Sequence, residues 1–172
     1  MKRSASHWYH CTEDNHGPRW VARRIAPRLG GSDEPSTPRL CVAATPVRCF
    51  AARLFTRNVY VYRTETPRRA IRPLRVWDSV ITQERWLIPP VAMLLVDVVP
   101  WNLARRISGP TVKHIRVHES VNVSVRAGDL SRAVEVLGKV WPEWVRPADR
   151  RFVDGLTRLL EERGALPVGG AA

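Results

Sequence analysis

The stretch VAMLLVDVV, residues 91–99, carries the clearest information on the fold of this 172-residue chain. Every residue in it except Asp97 is apolar, and Pro100 ends the run. A run of this length and composition predicts a strand in the interior of a sheet. A second strand is predicted at NVYVYRTE, residues 58–65, because β-branched and aromatic side chains are typical of strands.

Shorter elements are predicted around these two strands. HWYHCT (7–12) alternates aromatic and polar residues, which favours a short strand, whereas RWVARRIAPRL (19–29) favours a basic helical turn. LCVAAT (40–45) favours a buried strand, and Pro46 then opens a helix with one apolar face. The first 100 residues are therefore expected to form a strand-rich mixed α/β unit.

The last third of the chain has a different pattern. HIRVH (114–118) and VNVSVR (121–126) alternate apolar and polar residues, which predicts two strands. Two amphipathic helices are expected next, the first capped by Asp129 and the second starting at about Ala148 and ending before Gly164. The residues expected to pack these helices on the sheet are Leu130, Leu137, Trp141, Phe152, Leu156 and Leu160.

These patterns together predict an α+β fold in three parts. Residues 1–128 are expected to form the strand-rich domain, and residues 129–164 a helical hairpin packed on it. The remaining residues, 165–172, have the composition of a flexible tail.

The chain carries a net charge of +12, and 25 of its 28 basic residues are arginines. Nine of these twelve net charges lie in residues 1–78. Such a charge favours anionic partners, either nucleic acid or nucleotides. The scarcity of lysine is also typical of a GC-rich coding bias, which would give the same charge without any binding function.

The cysteines and the apolar segments indicate a cytoplasmic protein. Cys11, Cys41 and Cys49 are too few and too unevenly spaced for a disulfide framework, which favours a reducing compartment. The N-terminus has no apolar core of a signal peptide. The longest apolar run, residues 86–96, is interrupted by two prolines and is too short to span a bilayer, so no membrane partner is expected.

Metal and nucleophile motifs are weak in this sequence. His7, His10, Cys11 and His16 are residue types that bind zinc, but they lack the paired spacing of a zinc site, so no metal is predicted. The sequence contains neither a G-x-S-x-G nucleophile motif nor a glycine loop for phosphate between a strand and a helix.

Four segments, taken in order, resemble the ADP-ribosyltransferase family, especially the small bacterial rifamycin ADP-ribosyltransferases and the tRNA 2′-phosphotransferases. WYHCT resembles the family's first strand, with aromatic, His, Gly and Thr in order. LCVAATPVRCFAARLF resembles the strand and alanine-bearing helix that follow, and NVYVYRTETP resembles the tyrosine-bearing strand. DSVITQERWLIPP resembles the segment whose acidic residue precedes the last pair of strands. The matches span about residues 8–96.

The resemblance implies an NAD pocket and assigns roles within it. His10 would hydrogen-bond a ribose hydroxyl, the Cys11 backbone would hold the nicotinamide amide, and Thr12 would add a hydroxyl contact. Glu84 would stabilise the positive charge that develops on the ribose carbon during transfer, with Glu65 or Asp78 as alternatives. The family usually has glycine at the position of Cys11 and a stacking tyrosine near Val42. The remaining implied pocket residues are Tyr60 and Tyr62 as lining, and Arg19, Arg23 and Arg24 at the pyrophosphate.

Three functions follow from these observations as hypotheses. The first is an NAD-dependent transferase that moves ADP-ribose to an unknown small molecule, nucleic acid or protein. The second is a non-catalytic, arginine-rich nucleic-acid-binding module of phage or toxin–antitoxin origin, and the third is a structural partner protein. A simpler interpretation accompanies each residue: His10 as a hydrogen-bonded, half-buried histidine, Tyr60 and Tyr62 as core, and Glu84 with Arg85 as a surface ion pair.

Overall fold

The computed structural model describes residues 5–23, 39–51, 55–72, 83–107, 113–118, 121–125 and 127–162. Within these ranges the chain forms eight β-strands, four α-helices and one 3₁₀ helix, so the predicted α+β class is confirmed. The strands are β1 (Tyr9–Thr12), β2 (Arg19–Ala22), β3 (Leu40–Val42), β4 (Val59–Thr64), β5 (Arg85–Leu87), β6 (Val91–Val99), β7 (Lys113–His118) and β8 (Val121–Val125). The helices are α1 (Pro46–Ala51), α2 (Trp101–Ile107), α3 (Ala127–Val140), the 3₁₀ helix (Pro142–Trp144) and α4 (Pro147–Glu162).

The main sheet has four antiparallel strands in the order β1-β4-β6-β2. Its longest strand, β6, lies in the interior of the sheet, as its apolar sequence predicts. The pairing of β4 with β6 passes from Val61 opposite Asp97 to Tyr62 opposite Leu95, so Val96 is an extra residue in β6. Such a β-bulge bends the strand and breaks the alternation of its side chains.

A second, two-stranded sheet of β3 and β5 meets the main sheet at one point. Tyr9 of β1 and Ala43 exchange two backbone hydrogen bonds of 2.9 Å. Further along, at Cys41, the β3 carbonyl accepts a hydrogen bond from the His10 side chain instead of from the β1 backbone. The strands β1 and β3 therefore touch at Tyr9 and separate at Cys41, which leaves a gap between them.

The two faces of the main sheet bury different cores. The helix-side core joins α1, α2 and α3 to Cys11, Val59, Val61 and Val99 of the sheet. The strand-side core joins Leu40, Val42 and Leu87 of the small sheet to Tyr62, Val91 and Met93. Because successive side chains of a strand point to opposite faces, neighbours such as Val61 and Tyr62 in β4 reach different cores.

The two C-terminal helices form where the sequence predicts them, with one difference at the start of α3. This helix begins at Ala127, so Asp129 lies inside its first turn and is not the residue that precedes it. Leu137 is fully buried in the helix-side core, and Trp141 packs against that core. Phe152 is half-buried with its ring 5.2 Å from the Arg48 guanidinium. Gly164, the tail 165–172 and the side chains of Leu156 and Leu160 lie outside the described residues.

One element differs from the sequence-based expectation and one was missed. Residues 19–22, expected in a helical turn, form β2, because they pair with β6 from Arg19 opposite Leu94 to Ala22 opposite Val91. Helix α2 was not predicted; it follows directly after Pro100 and buries Ala104 and Ile107 against the sheet. The alternating segments at 113–118 and 121–125 form the hairpin β7–β8 as expected.

Candidate functional site

His10 lies at the gap between β1 and β3. Its Nδ1 is 2.9 Å from the carbonyl oxygen of Cys41. Since a carbonyl oxygen only accepts, the imidazole donates from Nδ1. Tyr9 and Cys11 point to the helix side, so His10 between them projects to the strand side of β1. The histidine therefore bridges the two sheets at the point where their backbones part.

The backbone of Cys11 faces the same gap. Tyr9 uses both its N–H and its C=O to bond Ala43. In an antiparallel strand the backbone groups two residues along point the same way, so those of Cys11 are also directed away from β4 and toward the β3 side. By then β3 has separated from β1. A donor and an acceptor on adjacent main-chain atoms are thus presented at the gap, next to the His10 ring.

Four rings form an aromatic cluster beside His10, defined here as His10, His16, Trp20 and Tyr62. The Trp20 ring centroid lies 5.6 Å from that of His10, and 4.2 Å from that of His16 with the planes only 16° apart. Trp20 also meets Tyr62 edge to face. His16 is exposed and Trp20 half-buried, so the cluster opens to solvent at a stacked pair. Offset stacking of this kind suits a further planar ring.

Tyr62 supports the cluster from beneath. It has no exposed surface, and its hydroxyl accepts a 2.9 Å hydrogen bond from the His16 N–H and donates one of 3.1 Å to the Gly17 carbonyl. Gly17 has a φ of 81°, in the left-handed region that favours glycine. Tyr60, the other predicted lining tyrosine, is half-buried against the strand-side core. Tyr62 therefore fixes the loop between β1 and β2.

The side chains of Cys11 and Thr12 are turned away from solvent. The Cys11 thiol lies in the helix-side core, where burial and the neighbouring Cys49 thiol raise its pKa well above the ordinary value. It is thus on the face of β1 opposite to His10, and a side chain in place of the family's glycine does not fill the His10 face. The buried Thr12 hydroxyl accepts a hydrogen bond of 3.1 Å from the Asp14 N–H.

Glu84 comes directly before β5. Its Oε1 accepts a 2.5 Å hydrogen bond from Nε1 of Trp86. Burial, and then the carboxylate of Glu84, raise the pKa of the Cys41 thiol. Leu40 and Val42 both lie in the strand-side core, so the Cys41 side chain between them points to the other face. His10 and Glu84 therefore reach the same residue from two sides, the histidine at its carbonyl and the glutamate at its thiol.

The other residues implied by the resemblance lie farther out or deeper in. Val42 is buried in the strand-side core and presents no ring to the gap. Glu65 forms an exposed ion pair of 2.9 Å with Arg19 on the main sheet. Arg23 is exposed just after β2, while Asp78 and Arg24 lie outside the described residues.

Two members of the aromatic cluster were not predicted as partners of His10. His16 was considered only as a zinc ligand, and Trp20 was placed in a helical turn. The pairing of β2 with β6 brings both to the cluster. Their shared signal in the sequence is that each is an aromatic or imidazole ring flanking the short Gly17–Pro18 turn.

Neither a metal centre nor a relative supplies a function directly. Across the described ranges, no three His, Cys, Asp or Glu side chains converge as they would around a metal ion. None of the helices in the described part of the chain is long and apolar enough to cross a membrane. No family model matches the chain, and no curated protein or solved structure matches it significantly.

Proposed function

We propose that this chain is an ADP-ribosyltransferase-like protein that binds NAD and transfers its ADP-ribose to an acceptor. The observation that carries the proposal is the gap between β1 and β3, where the Cys11 backbone and the His10 imidazole are presented together. The nicotinamide carboxamide has one donor and one acceptor, which is the complement of a main-chain N–H and C=O. A ribose hydroxyl next to that ring lies within the reach of an imidazole.

The aromatic cluster supports the binding half of the proposal. A nicotinamide or adenine ring can stack on the exposed side of the His16–Trp20 pair, while Tyr62 and Met93 below leave no room for the loop to collapse. The net charge of +12 favours the pyrophosphate of NAD, and Arg19 and Arg23 extend from the same strand as Trp20. Base stacking and charge thus act on the same ligand.

Glu84 carries the transfer half of the proposal. The bond between the ribose carbon and nicotinamide breaks with its electrons leaving on nicotinamide, and an acceptor nucleophile then bonds to that carbon. A fixed carboxylate stabilises the positive charge that develops on the ribose. The hydrogen bond from Trp86 holds the Glu84 carboxylate in one orientation beside Cys41.

The proposal is tested by separating binding from turnover. NAD at millimolar concentration is expected to raise the melting temperature of the wild-type chain and of Glu84→Gln, but not of His10→Ala. Nicotinamide release is expected from the wild type only. The matched control is His7→Ala, which removes another histidine whose Nδ1 contacts a main-chain carbonyl, that of Thr64 at 2.8 Å. If NAD shifts no melting curve, or shifts that of His10→Ala equally, the pocket assignment is wrong.

A second function, binding of single-stranded nucleic acid, is favoured by the same stack and by the excess of arginine. Aromatic platforms in a basic surface bind successive bases without sequence preference. The affinity would then fall steeply with salt, with a slope of about −0.7 per phosphate contact on a single strand. A fluorescent oligonucleotide titrated at several salt concentrations measures that slope, and competition by NAD distinguishes one shared site from two.

A further inference from the structure

The corner that carries Glu84 has an uncommon backbone. Gln83, the residue before it, has a φ of 50°, in the left-handed region that residues other than glycine seldom adopt. Such a conformation costs about 1–3 kcal/mol and persists only where the surroundings enforce it. The groups that hold Gln83 in place therefore also set the direction in which the chain enters Glu84.

Two guanidinium groups hold this corner. Arg48 of α1, a buried side chain, donates from Nη1 to the Oε1 of Gln83. Arg85 donates from its own Nη1 to the carbonyl oxygens of Gln83, at 3.2 Å, and Glu84, at 2.9 Å. One guanidinium thus fixes the side chain of Gln83 and the other fixes the backbone on either side of it.

Arg48 is in turn fixed by Asp149 in the first turn of α4. The Nε of Arg48 lies 2.5 Å from Oδ1 of Asp149, which also accepts a hydrogen bond of 3.2 Å from the Thr45 hydroxyl. The other oxygen, Oδ2, accepts a 2.8 Å hydrogen bond from the N–H of Arg146, where α4 begins. Asp149 is only 1% exposed, so the pair is shielded from water and its geometry is rigid.

A buried ion pair is weak support for stability, because the cost of removing two charges from water offsets much of their attraction. This pair has a second property, namely that its arginine also binds the residue with the left-handed backbone next to Glu84. Packing α4 against α1 does not require that contact. The contact does what is needed to keep a carboxylate at a defined position.

We infer that Arg48 and Asp149 are positioning residues for Glu84, so that the first turn of α4 is part of the site. The catalytic consequence rests on the proposed function, since it assumes that Glu84 acts in the transfer. The structural consequence does not. If Asp149 is neutralised, Arg48 loses its fixed partner, the Gln83 corner relaxes, and the Glu84 carboxylate is no longer confined beside Trp86 and Cys41.

The experiment compares Asp149→Asn and Gln83→Ala with the wild type in two measurements. Hydrogen exchange of the amides at residues 84–87 is expected to become at least about tenfold faster in both variants, because local opening is easier. In NAD turnover, kcat is expected to fall by about tenfold to a hundredfold while KM changes little, since misplacement of a catalytic group affects the transition state more than binding. Asp154→Asn is the matched control, an exposed aspartate of the same helix that should change neither quantity.

The two proposals fail in different ways. Unchanged exchange at residues 84–87 in Gln83→Ala, which leaves the Arg48–Asp149 pair intact and the helix anchored, overturns the positioning inference even if the chain turns over NAD. Faster exchange without NAD turnover in the wild type leaves the positioning role in place and overturns the transfer function of Glu84. An equal fall of kcat in Asp154→Asn would show that any change in α4 lowers activity, and would also overturn the inference.

Discussion

Tyr62 and Trp20 meet edge to face with ring centroids 5.6 Å apart, although their strands are not neighbours in the sheet. Strand β6 lies between β4 and β2, and the two rings reach each other across its strand-side face. The same tyrosine holds His16 and Gly17 through its hydroxyl. One residue therefore connects the floor of the aromatic cluster to the loop that closes it.

We predict that Tyr62→Phe destabilises the protein by about 1–2 kcal/mol, because it removes two hydrogen bonds and keeps the ring. Urea unfolding followed by tryptophan fluorescence measures the change. Tyr60→Phe is the control on the same strand and should lie close to the wild type. Equal losses in the two variants would mean that the hydroxyl of Tyr62 does not anchor the loop.

Leu137→Ala is expected to cost about 2–5 kcal/mol, since the leucine has no exposed surface and leaves a cavity between α3 and the sheet. Lys139→Ala, two residues further along α3, changes an exposed side chain paired with Glu135 and should leave the unfolding curve nearly unchanged. The measurement is again the midpoint of urea unfolding. A Leu137→Ala variant as stable as Lys139→Ala would show that α3 does not pack on the sheet.

A truncation that ends at Gly128 is expected to lose cooperative unfolding and to aggregate. It removes Leu137 from the helix-side core, uncovers Val61 and Val99, and leaves Arg48 buried without Asp149. Calorimetry and size-exclusion chromatography measure the two effects. A soluble fragment with a sharp transition would instead make the C-terminal helices an independent appendage.

The stability of the protein is expected to fall as the pH rises above about 8.5, the ordinary pKa of a thiol. Burial raises the pKa of Cys11 in the folded chain, so the folded state keeps its proton at a pH where the unfolded state has released one. The contribution is therefore fully present below the unfolded pKa and is lost as the pH rises beyond it. Melting temperatures of the wild type and Cys11→Ala between pH 7 and 10 measure this, and the variant should show the shallower decline. Parallel curves would contradict it.

The parts of the fold that were predictable are those whose signal lies within one segment. β6 and β4 are apolar or β-branched along their whole length, and α3 and α4 repeat their apolar residues at helical spacing. β2 has no such signal, because Arg19 and Val21 are exposed and arginine is a good helix former. Its strand conformation comes from pairing with β6, a contact between segments far apart in the sequence.

The candidate site divides along the same line. The position of His10 on a strand follows from local alternation in HWYHCT. Its partner is a carbonyl oxygen of Cys41, and every residue has such an oxygen, so the sequence offers no signal for it. The Arg48–Asp149 pair joins residues 101 positions apart, and neither residue type nor spacing announces it. Both features arise only when the two sheets and α4 come together.

The extra residue at Val96 gives β6 two phases. Before it, Val91 and Met93 face the strand-side core; after it, Val99 faces the helix-side core and Asp97 accepts a 2.6 Å hydrogen bond from Trp141. A strand of strict alternation would send all of these odd-numbered residues to one face. Deleting Val96 would thus act like a frameshift in space, reversing every later side chain of the strand, whereas replacing it with another residue would leave both phases intact. The length of this strand is therefore under tighter constraint than its composition at that position.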